Sequence, residues 1–186
     1  MLFEKEGSMS EIIIAKTGIT KIGTECIVNA ANSDLFEGGG VCGVIFKAAG
    51  SDDLNMACRA LGHCNTGEAV ITPAFRLNAR YIIHAVGPVY HDGQHNEERL
   101  LYNAYHNSLK LMMEYNCHSI GFPLISAGIY GYPKKEAFKT AIRACQDFIR
   151  QNDYDVMIKF AIIDDDIYDV GMKILKEMEI YDESNS

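Results

Sequence analysis

The sequence predicts an α/β domain with three layers, in which helices cover both faces of a central sheet. Six short apolar segments rich in β-branched residues are candidate strands, and helical patterns separate them. Several of these segments are apolar on both faces, which is typical of strands in a covered sheet. The chain of 186 residues is also long enough to bury a core of its own. The candidate strands are IIIA (12–15), CIVN (26–29), EAVIT (68–72), YIIHAV (81–86), SIGFPL (119–124) and VMIKFAII (156–163).

The clearest helix follows Pro133, because apolar residues recur there at intervals of three and four and form one stripe. Proline suits the first helical position, where its missing N–H costs nothing. A second helix near 97–115 opens on Glu97 and Glu98, whose charges suit the positive end of a helix. Further helices are expected at 41–49, 51–60 and 167–178. The second helix is expected to bury Leu101, Ala104, Tyr105, Ser108 and Met112.

Composition and charge exclude several classes of protein. The net charge of −8 argues against nucleic-acid binding, which needs a basic face. No apolar run approaches the ~18 residues that a membrane span needs, and no charged-then-apolar leader follows Met1. We therefore expect a cytoplasmic protein that forms one domain over residues 1–186. Its core is expected at 12–178, with frayed termini at 1–10 and in EIYDESNS, and nothing demands a partner subunit, so a monomer is expected.

The stretch NAANSDLFEGGGVCG (29–43) contains the pattern Gly38-x-Gly40-x-x-Gly43, which also occurs in dinucleotide-binding oxidoreductases. In that fold the first glycine follows a strand directly, and a carboxylate about 20 residues further on binds the ribose. Here Gly38 lies well beyond Asn29, where the candidate strand ends, and His63 stands where the carboxylate should be. The pattern is therefore a weak indication of an oxidoreductase. A Walker loop is excluded as well, because no Gly-Lys-Ser/Thr follows.

The glycines still indicate an anion site. Glycine lets a ligand approach the main chain closely, and the pattern predicts a helix from Val41 that stops at Gly50. The free N–H groups and the dipole at a helix N-terminus attract anions. The segment SIGFPLISAGIYGYP has the same strand–loop–helix order, so two such loops could hold a diphosphate from both sides. For each loop taken alone, a simple tight turn is an equally good interpretation.

Four separated segments resemble one known family. VNAANSDLFEGGGVCGVIFKAAG, HCNTGEAVITPA, YIIHAVGPVY and FPLISAGIYGYPKKEA together resemble the macro domain, in the branch of mono-ADP-ribosyl hydrolases and O-acetyl-ADP-ribose deacetylases. The resemblance covers roughly residues 12–178 and keeps the order of the motifs. It implies a macro-domain fold with a central six-stranded mixed sheet, an ADP-ribose cleft at the strand ends, and no cofactor. The implied partner is ADP-ribose or an ADP-ribosylated protein.

The resemblance also implies roles for individual residues. Asn32 would contact the distal ribose, since a carboxamide both donates and accepts hydrogen bonds, whereas Asn29 is expected to cap the turn. Tyr130 would pack against the same ribose and set the geometry of attack. Ile19 would meet adenine through its backbone amide, and Asp164 would lie beside the adenosine end. The diphosphate would be wrapped by Gly38, Gly39, Gly40 and Val41 on one side and by Ser126, Ala127, Gly128, Ile129 and Tyr130 on the other.

Two positions depart from the family pattern. The family usually reads Gly-Asp-Ile-Thr after the first strand, but Gly18 replaces that aspartate here. Losing such a charged hydrogen bond costs on the order of 1.5–3 kcal/mol, or roughly ten- to a hundredfold in affinity. Cys42 stands where hydrolytic members usually have an aspartate that orients water. Some viral macro domains are similar in having cysteine there.

Two roles for Cys42 are open. A thiol at a helix N-terminus has a lowered pKa and could act as a nucleophile. However, a thiolate beside a diphosphate would be repelled, so we favour a small neutral wall. In that interpretation the substrate's diphosphate positions water while Asn32 and Tyr130 set the geometry, and proximity supplies much of the rate.

The remaining candidate ligands do not indicate a metal. We expect His84 to be a core residue with its hydrogen bonds satisfied, and His91 and His95 to be solvated loop residues. Cys58, His63 and Cys64 match no tetrahedral spacing, so no metal is expected. All six cysteines are expected to be buried and reduced, namely Cys26, Cys42, Cys58, Cys64, Cys117 and Cys145.

Two hypotheses about function follow. In the first, the chain is an enzyme that removes ADP-ribose from acidic side chains or deacetylates O-acetyl-ADP-ribose, through water attack at the distal ribose. In the second, it is a module that binds ADP-ribose without turnover. The intact loops favour the enzyme, whereas Cys42 and Gly18 favour the binding module.

Overall fold

The computed structural model describes the backbone of residues 1–5 and 8–184 and the side chains of 1–4 and 9–179. Seven strands form one sheet in the order β1-β2-β7-β6-β3-β5-β4. The five central strands are parallel, and the edge strands β1 and β4 are antiparallel to their neighbours. The strands are β1 (Leu2–Lys5), β2 (Ser8–Ala15), β3 (Cys26–Ala30), β4 (Ala69–Pro73), β5 (Tyr81–Ala85), β6 (Ser119–Phe122) and β7 (Met157–Ala161).

All six predicted strands are present, so the α/β class is confirmed, but the strand count of six was wrong. The seventh strand, β1, lies within residues 1–10, which were expected to be frayed. It pairs with β2 from Leu2, opposite Glu11, to Lys5, opposite Ser8. A strand of four residues has too few positions to show a periodic pattern. Its hydrogen bonds depend on β2, which itself begins earlier than the IIIA segment.

In the described part of the chain, one short 3₁₀ helix and four α-helices connect the strands, and a fifth α-helix follows the last strand. Pro133 is the N-cap residue that precedes α4, and it does not belong to the first turn, because its ψ of 125° is not helical. The last helix continues through most of EIYDESNS, so this part of the tail is helical rather than frayed; residues 185–186 lie outside the described residues. The helices are η1 (Ile19–Lys21), α1 (Gly40–Ala49), α2 (Ser51–Leu61), α3 (Glu97–Glu114), α4 (Lys134–Gln151) and α5 (Asp165–Ser184).

The helices form two layers, one on each face of the sheet. Successive residues of a strand point to opposite faces, so Ile27 and Ile82 pack with α1 and α2, whereas Val28 and Ile83 pack with α3, α4 and α5. Both faces are therefore apolar, as the sequence predicts. Every residue predicted to be buried on α3 is buried. All six cysteines are buried and carry free thiols. Within the described part of the chain, no helix has the length and apolar character needed to span a bilayer.

Candidate functional site

A cleft of about 360 Å³ opens at the carboxyl ends of three neighbouring parallel strands. The strands β6, β3 and β5 lie side by side, and ligands of α/β proteins bind at such an edge, where the connections leave the sheet. Two loops form its walls, which we call the first loop (Ala31–Cys42) and the second loop (Pro123–Tyr130). The lining residues are Ala30, Ala31, Asn32, Gly38, Gly39, Gly40, Val41, Cys42, Gly87, Pro123, Leu124, Ile125, Ser126, Gly128, Ile129 and Tyr130.

The glycine pattern of the first loop has a structural explanation. Gly40 has a φ of +59°, a conformation that side chains rarely adopt. A Cβ atom on Gly43 would lie 2.8 Å from the carbonyl oxygen of Gly38, so the third glycine lets the loop pack onto α1. Because the first N–H groups of a helix have no partner within it, the start of α1 offers donors to an anion in the cleft.

Asn32 lines the cleft and at the same time holds the first loop together. Its Nδ2 donates to the carbonyl oxygen of Phe36 at 2.9 Å, and its Oδ1 accepts from the N–H of Phe36 at 3.2 Å. A carboxamide has two donors and an oxygen with two lone pairs, so one donor and one acceptor direction remain for a ligand. The loop thus fixes the orientation of Asn32, although capping had been assigned to Asn29.

Cys42 belongs both to the cleft wall and to the core stripe of α1. This stripe comprises Cys42, Ile45, Phe46 and Ala49, which are spaced at i, i+3, i+4 and i+7. Its Sγ accepts from the N–H of Gly38 at 3.4 Å and lies 3.8 Å from the carbonyl oxygen of Phe36. These contacts make the thiol a packed, hydrogen-bonded part of the wall.

Asn29 is buried in β3, so the expectation that it caps a turn was wrong. It lies opposite His84 in the register of β3 and β5, and its Nδ2 approaches His84 Nδ1 at 3.1 Å and Cys42 Sγ at 3.6 Å. Nε2 of His84 contacts Thr72 Oγ1 at 2.9 Å. Burial lowers the pKa of His84 to about 4. The ring is therefore neutral at pH 7, and with a partner at each ring nitrogen His84 is the satisfied core residue that the sequence predicts.

The second loop turns sharply where β6 ends. Ser126 has a φ of +65°, which is uncommon for a residue other than glycine, and its Oγ is buried. No group among the described residues lies within hydrogen-bond distance of this hydroxyl. A Cβ atom on Gly87 would overlap this hydroxyl and the side chain of Ile125. A buried hydroxyl without a protein partner in a cleft wall is suited to bind a polar ligand.

The tip of the second loop forms the rim of the cleft. Ile129 is 93% exposed, whereas Tyr130 is half-buried. The carbonyl oxygen of Tyr130 accepts from the N–H of Tyr90 at 2.9 Å, and the N–H of Tyr132 donates to the carbonyl oxygen of Ser126 at 2.9 Å. The aromatic residue that was predicted to contact a ribose therefore lies at the mouth of the cleft on a closed turn.

Three predicted site residues lie outside the cleft lining. Ala127 is buried, and its N–H donates to the carbonyl oxygen of Leu124 at 3.3 Å. Ile19 lies in η1 with its side chain in the core. Asp164 follows β7 and accepts from the N–H of Ile167 at 3.0 Å, so it caps α5. The segments around Ile19 and Asp164 follow β2 and β7 at the same edge of the sheet, so their contacts with adenosine stay a prediction.

Gly18 lies at the part of the sheet edge where β2 and β7 end. A Cβ atom on Gly18 would lie 3.8 Å from Cδ1 of Ile163, whose side chain is 74% exposed. The atom nearest to this position is therefore apolar, where the family pattern has a carboxylate.

The other polar clusters serve the fold. Among the described residues, one group of three donor side chains is close enough to share an ion, namely Asp92, His95 and Glu97. Glu97 is buried, and its carboxylate accepts hydrogen bonds from four backbone N–H groups of residues 91–95. Burial raises the pKa of Glu97, but these hydrogen bonds outweigh it and lower the pKa to about 2. His91 and His95 are exposed, as predicted.

Six lining residues were not predicted from the sequence. Ala30 ends β3 and Ala31 follows it, Gly87 follows β5, and Pro123, Leu124 and Ile125 follow β6. A signal for Gly87 was present, since the strand YIIHAV is followed by Gly-Pro and the carboxyl ends of parallel strands meet at one edge.

The fold and the cleft define an α/β domain that can bind an anionic ligand between two loops at a sheet edge. The model of the Macro domain family matches residues 28–141. An O-acetyl-ADP-ribose deacetylase of Escherichia fergusonii is 47% identical over 161 residues, which are 84% of this chain and 90% of that protein. A macro domain-containing protein of Chlorobaculum tepidum is 47% identical over 160 residues, covering 86% and 92% of the two chains.

Solved structures agree with this similarity. The Oceanobacillus iheyensis macrodomain with ADP has a TM-score of 0.88 and 36% identity, with 97% of each chain covered. A Trypanosoma brucei macrodomain in complex with ADP-ribose has a TM-score of 0.81 and 33% identity, with 88% of this chain and 68% of that chain covered. The chain belongs to the macro domain family.

Proposed function

We propose that this macro domain binds ADP-ribose in the cleft and hydrolyses ADP-ribose ester linkages. The substrates would be mono-ADP-ribosylated acidic side chains, O-acetyl-ADP-ribose, or both. The observation that carries the proposal is the pair of loops that face each other across the cleft, one at the start of α1 and one after β6. The relative named O-acetyl-ADP-ribose deacetylase and the ADP-ribose complex of a structural neighbour support it.

In this proposal the diphosphate lies against the N–H groups at the start of α1, and Ser126 Oγ supplies a donor from the opposite side. Asn32 and Tyr130 hold the distal ribose, where water attacks and the ester is cleaved to a carboxylic acid and free ADP-ribose. The described residues that line the cleft include no carboxylate and no imidazole. Water would therefore be positioned by the substrate's own diphosphate, and the rate would come mainly from orientation.

A module that binds ADP-ribose without turnover is the second candidate. It is favoured by the same neutral lining, because Cys42 occupies the position at which hydrolytic relatives usually carry an aspartate. Its thiol contacts the N–H of Gly38 and the amide of Asn29. Both groups are donors that could equally bind a carboxylate, so Cys42→Asp is compatible with the local hydrogen bonding.

The test is the release of free ADP-ribose from a glutamate-linked mono-ADP-ribosylated protein, with O-acetyl-ADP-ribose assayed in parallel. We expect the wild-type protein to release ADP-ribose and Asn32→Ala to lose this activity. If wild type binds ADP-ribose but releases none, and Cys42→Asp does, then the binding module is the correct assignment. A folded wild-type protein that does not bind ADP-ribose would refute both candidates.

A further inference from the structure

The second loop begins on a tyrosine hydroxyl that belongs to α3. Tyr105 is fully buried, and its hydroxyl donates to the carbonyl oxygen of Pro123 at 3.2 Å and accepts from the N–H of Ile125 at 2.8 Å. Pro123 and Ile125 both line the cleft. They follow β6 directly, so one hydroxyl spans the point at which the chain leaves the sheet.

This hydroxyl satisfies two backbone groups in a part of the molecule that water does not reach. A buried backbone group without a partner costs free energy, so the loop gains stability only in the geometry that reaches Tyr105. The ring itself cannot follow a displaced loop, because it packs edge-on against Phe122 and tilted against Phe160, with centroids 5.0 and 6.0 Å away. Tyr105 is thus a rigid reference point for the loop.

The other end of the second loop is held by a segment that Glu97 organises. The carbonyl oxygen of Tyr130 accepts from the N–H of Tyr90, which immediately precedes residues 91–95. Those residues fold around the buried carboxylate of Glu97, with hydrogen bonds of 2.6–3.3 Å from four N–H groups. Glu97 is the first residue of α3, so the same helix fixes both ends of the loop.

We propose that Tyr105 and Glu97 are positioning residues of the cleft, which set the place of Ser126 and Tyr130 without touching the ligand. Tyr105 holds the first turn of the second loop directly, and Glu97 holds its last residue through Tyr90. The inference rests on the proposed function in that ADP-ribose is the ligand whose binding reports the position of the loop.

The decisive comparison is between two tyrosine-to-phenylalanine variants. Tyr105→Phe keeps the ring and loses only the hydroxyl. Tyr154→Phe is the matched control, because its hydroxyl donates to the carbonyl oxygen of Cys117 at 2.8 Å next to the amino-terminal end of β6, the end opposite the cleft. We expect both variants to lower the melting temperature. Only Tyr105→Phe should weaken ADP-ribose binding, by about tenfold in calorimetry, with less than about a twofold change in the control.

Glu97→Gln tests the contribution of Glu97 without changing the size of the side chain. Its amide must turn an NH₂ group toward backbone donors, so residues 91–95 lose at least one hydrogen bond and Tyr130 loses its support. We expect a roughly threefold weaker affinity for ADP-ribose. If the protein is an active enzyme, KM should rise more than kcat falls in both Tyr105→Phe and Glu97→Gln.

Amide hydrogen exchange gives a readout that does not depend on ligand binding. The N–H groups of Ala127 and Tyr132 close turns within and just after the second loop, and their exchange should be faster in Tyr105→Phe and unchanged in Tyr154→Phe. Unchanged exchange at both amides in Tyr105→Phe would overturn the inference. So would a loss of affinity that is equal in both tyrosine variants. A wild-type protein that does not bind ADP-ribose refutes the proposed function, and exchange then decides the inference alone.

Discussion

The two loops that wall the cleft are held in place by different kinds of contact. Within the first loop, Asn32 bonds to Phe36 and Gly38 bonds to Cys42, four positions away in each case. Its outer part is also bonded to the chain that follows α1, where Ser51 and Asn55 donate to Glu37 and the N–H of Cys64 donates to the carbonyl oxygen of Ser33. The second loop depends on residues that are distant in the sequence, such as Tyr105, which is 20 positions from Ile125. Contacts within a short segment are visible in its sequence, whereas contacts to distant residues are not, so the second loop can also be displaced by changes that lie far from it in the sequence.

The largest effect is expected when the first loop is broken from within. Gly43→Ala places a methyl group 2.8 Å from the carbonyl oxygen of Gly38, and because that atom is backbone, the whole loop must move. We expect ADP-ribose affinity to fall by about a hundredfold, equivalent to roughly 2.7 kcal/mol. Calorimetric titration of the folded variant measures this change.

Gly23→Ala serves as the control for Gly43→Ala. Gly23 has a φ of +73° and open space around it, and it precedes β3 at the end of the strand opposite the cleft. The substitution should lower stability by roughly 1 kcal/mol, because an L-residue is strained at positive φ, and leave the affinity unchanged. Equal losses of affinity in the two variants would mean that general destabilisation, rather than displacement of the first loop, weakens binding.

A smaller effect is expected when the second loop is displaced from outside. Gly87→Ala would overlap Ser126 Oγ and the side chain of Ile125. Both are side-chain atoms that can rotate or shift, so we expect roughly a tenfold loss of affinity rather than a hundredfold loss. Exchange at the Ala127 amide should become faster. A loss of affinity larger than that of Gly43→Ala would contradict the expectation that displacing the first loop weakens binding more than displacing the second.

The sequence predicted the local features of the site and missed the distant ones. The glycine loop, the start of α1 near Val41 and the stop at Gly50 are contained in a few consecutive residues, and they are found in the structure. Tyr105 was correctly predicted to be buried, but its hydroxyl partners could not be, because nothing in the pattern of α3 specifies which loop reaches it. The same holds for Gly87, whose role depends on the packing of a loop that follows another strand.

The assignment of the turn hydrogen bonds to Asn29 rather than Asn32 illustrates a second limit. Both residues are in NAAN, and asparagine is common in turns, so residue type alone does not separate them. Strand alternation does, because Asn29 shares the face of Ile27 and points into the layer of α1 and α2, opposite His84. Strand β1 was missed for another reason, since a strand of four residues is too short for a periodic pattern and forms by pairing with β2.

A lower pH should destabilise the first loop more than the second, and the effect is expected to be small. The pKa of His84 is lowered by burial from 6.5 to about 4. Between these two pH values the unfolded chain therefore binds a proton that the folded chain does not bind. Its contribution to stability is therefore complete above pH 6.5 and is lost as the pH falls toward 4. From pH 7 to pH 5.5 the loss is about 1 kcal/mol. Glu97, which supports the second loop, stays ionised in this range, because its pKa is about 2.

Urea unfolding of wild type and His84→Gln at the two pH values measures this contribution. The free energy of unfolding should fall more steeply in wild type than in the variant. Parallel pH dependences would show that His84 does not carry the effect. In wild type, amide hydrogen exchange in the first loop should be faster at pH 5.5 than at pH 7, after correction for the intrinsic rate. Exchange at the Tyr132 amide should change less.

The smallest effect is expected at Cys42, although this residue lines the cleft. Its Sγ completes the core stripe of α1 and accepts from the N–H of Gly38, which makes it part of the first loop's internal support. We expect Cys42→Ala to change the rate of ADP-ribose release by less than about threefold, because in the proposed mechanism orientation rather than a nucleophile drives the reaction. Cys42→Ser, which keeps a hydrogen-bonding atom at this position, should lie closer to wild type. Complete loss of turnover in Cys42→Ala with ADP-ribose affinity retained would instead identify the thiol as a nucleophile, and the first loop would then supply chemistry as well as shape.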